Sequence, residues 1–151
     1  MNDMNRLALR GPLLLGLLLM GACGDYLPFS GGALSGTLAP SPADWTTVAS
    51  ADIVQLETNP TEPYSVNLWV IGEPDYLYVF GGDNHTQWIQ NMEADPNVRL
   101  QIDESIYELT AQRVTDAAEF DRFAAAWETK YGNRPRNENV AETWLMKLTA
   151  R

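Results

Sequence analysis

Few side chains in this 151-residue sequence have the types and spacing of a catalytic set. His85 is the only histidine, which excludes a metal site built on several histidines and any Ser-His-Asp arrangement that does not use this one imidazole. His85 follows a glycine-rich break, so it either bonds a ligand from that turn or faces water at the start of the next helix. Asp103 and Glu104 form an acidic pair at the tip of a predicted hairpin, where solvated turn residues are expected. The sequence therefore predicts no catalytic side-chain motif.

The only cysteine, Cys23, excludes an internal disulfide and lies at the end of an export signal. Arg6 and Arg10 precede an apolar run at residues 13–20, which is too short to span a hydrocarbon core of about 30 Å. Small residues just before the cysteine resemble a bacterial lipobox. The sequence thus predicts a signal peptide over residues 1–22 and lipidation of Cys23. An ordinary secretory signal is the less favoured alternative, because the single cysteine occupies the position that lipidation requires.

The segment after the signal reads as a connection to a membrane. Residues 23–42 are rich in Gly, Ser and Pro without apolar periodicity, which predicts a flexible tether ahead of a single domain at residues 43–151. Each buried acyl methylene contributes about 0.8 kcal/mol, so several acyl chains would anchor the protein firmly. Gly24 follows the cysteine and, by resemblance to lipoprotein sorting rules, permits the outer membrane of a Gram-negative cell. We expect a lipid-anchored protein of the cell envelope.

The charge balance excludes nucleic acid as a partner. The formal net charge is −10, and the 20 acids outnumber the 10 bases two to one. A surface that follows phosphates needs clustered Lys and Arg, and this chain has no such cluster. The apolar content and five tryptophans are ample for a packed core.

Hydrophobic periodicity predicts a small β protein. A brief helix is expected after a Ser41 cap, a second helix carries Trp88 and is capped by Asp83 or Asn84, and a long helix follows a cap at Thr115–Asp116. Alternating residues predict strands at 52–58, 64–71, 76–80, 98–102, 105–114 and 141–150. The expected fold is α+β and mainly β: a small antiparallel split β-barrel of five to six strands with two helices between hairpins.

Three stretches carry a family resemblance. Residues 64–70, residues 77–79, and Trp88-Ile89-Gln90-Asn91 followed by 95–100 resemble the FMN-binding split β-barrels, with the deazaflavin-dependent nitroreductase-like branch and the pyridoxamine phosphate oxidases. The resemblance covers roughly residues 52–151. It implies a flavin or deazaflavin cofactor, FMN or the deazaflavin coenzyme, in a groove at a homodimer interface, and possible oxidoreductase activity. The cofactor-binding positions that it implies are Asn67, Trp69, Gly81, Gly82, Asn84, His85 and Trp88.

The sequence departs from that family in its basic residues. The family often places Arg or Lys near the cofactor phosphate, whereas no Lys or Arg occurs between Asp25 and Val98. Lys130, Arg134 and Arg136 are the remaining bases that a dimer partner could bring to the groove, although we expect them to stay solvated at a helix C-terminus. Two hypotheses follow: a membrane-tethered flavin or deazaflavin oxidoreductase, or a degenerate barrel that binds a neutral small ligand or an envelope protein.

Overall fold

The computed structural model describes residues 31–151 of the chain. The predicted signal peptide and the predicted lipidation site at Cys23 lie outside the described residues. No helix within residues 31–151 is long and apolar enough to cross a membrane. In chain order the elements are β1 (Thr37–Leu38), α1 (Trp45–Val48), β2 (Ile53–Thr58), β3 (Tyr64–Glu73), β4 (Tyr76–Phe80), α2 (Gln87–Ala94), β5 (Asn97–Ile102), β6 (Ser105–Arg113), α3 (Ala117–Tyr131) and β7 (Leu145–Ala150).

Six of these strands form a closed antiparallel barrel. Hydrogen-bonded neighbours follow the order β6, β5, β2, β3, β4 and β7, and pairing of β6 with β7 closes the ring. The two-residue β1 is added in parallel to the start of β6. The predicted split β-barrel is confirmed. In the described chain it has six barrel strands, the extra β1, and three helices, of which α1 is the brief helix expected near Pro42.

The barrel interior is filled by the inward face of each strand. Side chains alternate between the two faces of a strand, so apolar residues at every second position meet at the barrel axis. Trp45 of α1 joins this interior cluster, and its ring meets the edge of Tyr107 with the centroids 5.0 Å apart. Strand residues of the cluster include Val54, Leu56, Val70, Leu77, Val79, Val98, Leu100, Leu109, Met146 and Leu148.

A second apolar cluster lies between the barrel and α3. The carboxylate of Asp116 accepts a hydrogen bond from Glu119 N at 2.7 Å and begins the helix, and Gly132 ends it in the left-handed region at φ 82°. These termini agree with the predicted helix. Its buried face packs against the outside of β3, β4 and β7, in a cluster of Ile71, Tyr78, Val114, Phe120, Phe123, Ala124, Trp127 and Leu145.

Two predicted helix caps are wrong. Asp44, not Ser41, caps α1, because its carboxylate accepts from Thr46 N at 2.8 Å and the helix spans a single turn. The residue that caps α2 is Thr86 rather than Asp83 or Asn84. The chain turns at Gly82 after β4, where Gly81 N donates to Trp144 O and Trp144 N donates to Gly82 O, and α2 begins only after Thr86.

Residues 31–39 form a strap across the outside of the barrel. Gly31 exchanges two backbone hydrogen bonds with Ser65 of β3, at 2.8 and 3.0 Å. Leu34 N donates to the carboxylate of Glu57 in β2 at 2.7 Å, and Thr37 N donates to Glu104 O at 2.7 Å just before β6. The described part of the predicted tether is therefore attached to the barrel at three strands.

Candidate functional site

Trp69 presents an open aromatic surface on the outside of β3. Its side chain is 47% exposed, which is unusual for so large an apolar residue. Its ring stacks on Tyr131 of α3 with the centroids 4.8 Å apart and an angle of 17° between the planes. Because Tyr131 covers part of Trp69 and the remainder faces solvent, a planar ligand could stack on what is left open.

Tyr131 is itself fixed to the strand that carries Trp69. Its hydroxyl lies 2.8 Å from Val70 O and 3.0 Å from Asp52 O, and it accepts a hydrogen bond from Val70 N at 3.0 Å. Burial raises the pKa of Tyr131, so its hydroxyl is neutral near pH 7. Trp127 lies behind the stack, 5.3 Å from Trp69. The orientation of Trp69 is therefore held by α3 as well as by its own strand.

Asn67 lies two residues before Trp69 and shares its face of β3. The strand register places Asn67 opposite Gln55 in β2, and Gln55 opposite Gln101 in β5. Since residues in register point to the same side of a sheet, the three amides form a row on the outer face of the barrel. The end of the row at Gln101 is covered, because its amide nitrogen donates to Asp103 O at 2.8 Å and its amide oxygen is buried. This row lies beside the exposed ring of Trp69.

Gly81 and Gly82 form the turn after β4. Gly82 has φ 64°, a left-handed conformation in which a β-carbon is strained, although space around it is open. A β-carbon on Gly81 would collide with the side chain of Ile89, so the close approach of α2 requires glycine there. The amide of Gly81 already donates to Trp144 O at 2.9 Å. This amide of the turn is therefore already engaged by the segment before β7.

His85 and Asn84 follow the turn on the surface. The imidazole Nε2 of His85 lies 2.6 Å from a carboxylate oxygen of Glu93, and its ring stacks on Trp144 with the centroids 4.5 Å apart. Asn84 is exposed, and its carbonyl accepts from Thr86 N at 2.9 Å. His85 thus precedes the helix rather than opening it, and it pairs with an acid.

Trp88 occupies a different environment from the other predicted positions. It is only 5% exposed and belongs to the cluster inside the barrel, beside Ile89 and Met92. A β-carbon on Gly81 would lie 3.2 Å from its ring, so the ring lies close beneath the glycine turn. Trp88 supports the turn from within, whereas Trp69 faces solvent.

The predicted site residues fall into two groups on neighbouring strands. Asn67 and Trp69 lie on β3, and the glycine turn with His85 follows β4. The register pairs Val70 with Val79, so both groups lie within a few residues of that pair. The sequence predicted no place for Trp144 beside these residues, although its backbone bonds Gly81 and Gly82 and its ring stacks on His85. Its position just before a strand gave no signal for that contact.

Lys130 is not the solvated residue that we expected from the sequence. Its ammonium group donates to Ala49 O at 2.8 Å, Ala51 O at 2.7 Å and Val70 O at 3.0 Å. These three acceptors use all three donor hydrogens of a lysine. Burial lowers the pKa of Lys130, opposed in part by the charge of Asp52. Lys130 closes the junction of α1, β2 and β3 and has no donor left for a phosphate.

Arg134 is also engaged within its own chain. Its guanidinium contacts Glu138 at 2.7 Å and Asp121 at 2.8 Å, and Glu128 lies 3.8 Å away. Hydrogen bonds to Glu138 and Asp121 raise the pKa of Arg134 further above its ordinary value. Arg136 is exposed on the loop that follows.

Arg113 is connected to the glycine turn through Trp144, whose backbone bonds Gly81 and Gly82. Its guanidinium carbon is 3.8 Å from the Trp144 ring centroid, a cation–π contact. Its Nη2 donates to Thr143 O at 2.8 Å and to Ala141 O at 3.2 Å. Arg113 therefore holds the segment before β7 in place. A lone arginine at the end of β6 gave no indication of this role in the sequence.

These residues fit one half of a flavin or deazaflavin nucleotide. The open face of Trp69 and the amide row suit a planar ring with polar edges. The phosphate does not fit, because the Gly81 amide and Lys130 are already hydrogen-bonded and His85 is paired with Glu93. In addition, no group of three or more His, Cys, Asp or Glu within residues 31–151 is placed to hold a metal ion.

The closed six-stranded barrel with α3 on its outer wall and an aromatic face on β3 defines the class of split β-barrel proteins. Within that class, the chain belongs to the family of F420H(2)-dependent quinone reductases, whose family model matches residues 67–143. The matched segment contains all seven predicted site positions. This chain is thus a split barrel of the F420-dependent reductase-like kind.

Solved structures agree on the fold. An F420-H2 dependent reductase is 16% identical, with 78% of this chain and 99% of that chain covered and a TM-score of 0.53. A FAD-binding protein from Mesorhizobium loti is 20% identical over 70% of this chain and 86% of its own, with a TM-score of 0.54. General stress protein 26 from Bacillus anthracis is 23% identical over 69% and 84%, with a TM-score of 0.51. Comparison with curated protein sequences gave no match.

Proposed function

We propose that this protein is a membrane-tethered oxidoreductase that binds the ring of a flavin or deazaflavin against Trp69. The observation that carries the proposal is the open face of Trp69, stacked on Tyr131 within the segment that matches the reductase family. A bound flavin or deazaflavin would supply hydride transfer. The residues of this chain would bind and orient the ring: Tyr131 holds Trp69, and the amides of Asn67 and Gln55 flank it.

The groove is proposed to lie at the interface of a homodimer. This rests on the family resemblance, and the wide exposure of Trp69 in one protomer supports it, because a second protomer would exclude water from the ring. The tether is proposed to start at a lipidated Cys23. Only seven residues, 24–30, separate Cys23 from the strap at Gly31, so the eight residue steps between them span at most about 29 Å. The barrel would then stand close to the bilayer, on the outer membrane in a Gram-negative cell.

A second candidate is a non-catalytic barrel that binds a neutral ligand or an envelope protein. The engagement of Lys130 with three carbonyls and of Arg134 with three acids favours it. Charge-assisted hydrogen bonds to a phosphate are typically worth about 1.5–3 kcal/mol each, so a cofactor without them loses much of its affinity. A neutral ring loses nothing by their absence.

One titration separates the two candidates. Tryptophan fluorescence of the full chain in detergent is followed while riboflavin, FMN, the deazaflavin chromophore without its phosphate, and the complete deazaflavin coenzyme are added. The reductase proposal predicts saturable quenching by at least one ring, lost in Trp69→Ala and retained in the control Leu38→Ala, whose side chain is also exposed. Oxidation of the reduced coenzyme by a soluble quinone is then assayed.

The pattern of affinities decides the outcome. If none of the four compounds bound up to millimolar concentration, the oxidoreductase proposal would be refuted and the second candidate favoured. Equal affinity for each phosphorylated and unphosphorylated pair would show recognition of the ring alone. The tether is tested by labelling cells with a radioactive fatty acid: the label is expected on the wild-type protein and absent from Cys23→Ser.

A further inference from the structure

A second cleft lies on the outside of the barrel, and none of its lining residues is among those that the sequence predicted as a site. It encloses about 490 Å³, a volume that suits a small molecule. It opens where β2, β5 and β6 lie side by side, next to the last residue of the chain. Its lining consists of Glu57, Thr58, Pro60, Asn97, Val98, Arg99, Glu108 and Arg151.

The charges of this cleft alternate along one row of the barrel. The register places Glu57 of β2 opposite Arg99 of β5, and Arg99 opposite Glu108 of β6. Arg151 continues the row, because its backbone N–H donates to Glu108 O at 3.2 Å. Neighbouring strands are about 4.8 Å apart, so the signs alternate at that spacing. Two bases and two acids make the row neutral in a chain whose formal charge is −10.

Arg99 is held in a fixed orientation by a buried carboxylate. Its Nε and one terminal nitrogen both lie 2.6 Å from Oε1 of Glu57, and Leu34 N donates to the other carboxylate oxygen at 2.7 Å. Glu57 is only 2% exposed, whereas the Arg99 side chain is 33% exposed. A guanidinium has five donor hydrogens, and this pair leaves some of them toward the cleft. The strap therefore fixes Glu57, and Glu57 fixes Arg99.

Arg151 and Glu108 form a looser pair on the same cleft. Their closest side-chain atoms are 3.3 Å apart, and the two side chains are 35% and 53% exposed. An exposed ion pair contributes little to stability, so its partners can turn toward a ligand at low cost. One base of the cleft is thus rigid and the other adjustable.

We propose that this cleft binds a small zwitterion. The anionic group, a phosphate or carboxylate, lies between the guanidinium groups of Arg99 and Arg151, and the ammonium group meets Glu108. A ligand that carried only negative charge would face Glu108 without compensation, and one that carried only positive charge would face two arginines. The alternating row therefore selects a molecule with both charges. This site is independent of the ring site at Trp69.

Calorimetric titration of the full chain in detergent with O-phosphoethanolamine tests the proposal. Inorganic phosphate and ethanolamine carry the two halves of this compound and serve as controls. We expect saturable binding of O-phosphoethanolamine that is about tenfold or more tighter than that of either half, since each charge gains a charge-assisted hydrogen bond. Equal affinity for phosphate alone, or no binding up to several millimolar, would overturn the proposal.

Variants locate the binding. Arg151→Gln should weaken binding about fivefold or more, and Glu108→Gln should weaken binding of O-phosphoethanolamine without weakening that of phosphate. Both side chains are well exposed, so the variants are expected to fold. Arg122→Gln, on the exposed side of α3, is the control and should bind like the wild type. Unchanged affinity in Arg151→Gln would refute the assignment.

A final titration distinguishes the two sources of such a ligand. Detergent micelles doped with lysophosphatidylethanolamine are added to the complex with O-phosphoethanolamine. Displacement of the free compound would identify a lipid headgroup as the ligand. Retention of the free compound would identify a soluble zwitterion. Either result supports the site, because both start from binding of O-phosphoethanolamine that Arg151→Gln weakens.

Discussion

Replacement of Lys130 by Met tests whether this base is a structural donor or a free cation. Methionine preserves most of the aliphatic length of lysine but removes the three hydrogen bonds to Ala49, Ala51 and Val70. Val70 O keeps a partner, because the Tyr131 hydroxyl lies 2.8 Å from it. The carbonyls of Ala49 and Ala51 are the groups that lose their donor.

The magnitude follows from those two carbonyls. A buried acceptor without a partner costs about 1–3 kcal/mol, which gives about 2–6 kcal/mol for two. Lys130 is only partly buried, so water reaches the site and the lower half of that range applies. We expect Lys130→Met to lower the free energy of unfolding by about 2–4 kcal/mol.

Urea unfolding followed by tryptophan fluorescence measures this loss. Arg122→Met is the matched control, because Arg122 lies on the same helix with its side chain exposed, and a change below about 0.5 kcal/mol is expected. If Lys130→Met lost no more stability than Arg122→Met, the carbonyls would be hydrated in both proteins. Lys130 would then be free to bind an anion, and the argument against a phosphate site would fail.

Three further substitutions test other contacts by the same unfolding assay. Tyr131→Phe keeps the ring stacked on Trp69 but removes the hydroxyl to which Val70 N donates, and it should lower the free energy of unfolding by about 1–2 kcal/mol. No loss of stability would show that a water molecule takes the place of the hydroxyl. Glu119→Gln should destabilise at pH 7, because a hydrogen bond from Tyr78 lowers the pKa of Glu119. Because the pKa of Glu119 is lowered from its ordinary value of 4.5, its contribution to stability is present above that pH and is lost as the pH falls through the lowered pKa. The deficit of Glu119→Gln should therefore shrink at low pH, and a pH-independent deficit would contradict this. Gly82→Ala should lower the free energy of unfolding by about 1–2 kcal/mol, because alanine is strained at the positive φ of this position. Gly32→Ala is the control and should not change it, since a β-carbon on Gly32 meets open space; equal losses in the two variants would refute the strain.

Local patterns were sufficient to predict the barrel and its longest helix. The alternation in β5, where Val98, Leu100 and Ile102 are buried, reflects a sheet with one face inward. Asp116 and Gly132 begin and end α3 as predicted, because cap preferences depend on a few adjacent residues. Such signals lie within one turn or one strand and can be read without tertiary contacts.

The parts that could not be predicted depend on residues far apart in the chain. Lys130 bonds carbonyls about eighty residues earlier, and no local pattern around it indicates those partners. Trp88 and Trp69 are both aromatic residues on predicted elements, yet one is inside the barrel and the other on its surface. Their difference arises from which side of each element meets the barrel axis. The charge row of the second cleft likewise depends on register between strands.

The strap has a consequence for where the foldable unit begins. Its backbone covers two strand edges: the edge of β3 at Ser65, on the side opposite β2, and the edge at the start of β6. At both places the hydrogen-bonding groups of the sheet would otherwise be open to another chain. The strap also satisfies one oxygen of the buried Glu57 carboxylate. A recombinant fragment that started at residue 43 would leave that oxygen unpaired and two strand edges bare, and it would be prone to aggregate. A soluble form of this protein should therefore begin no later than Gly31.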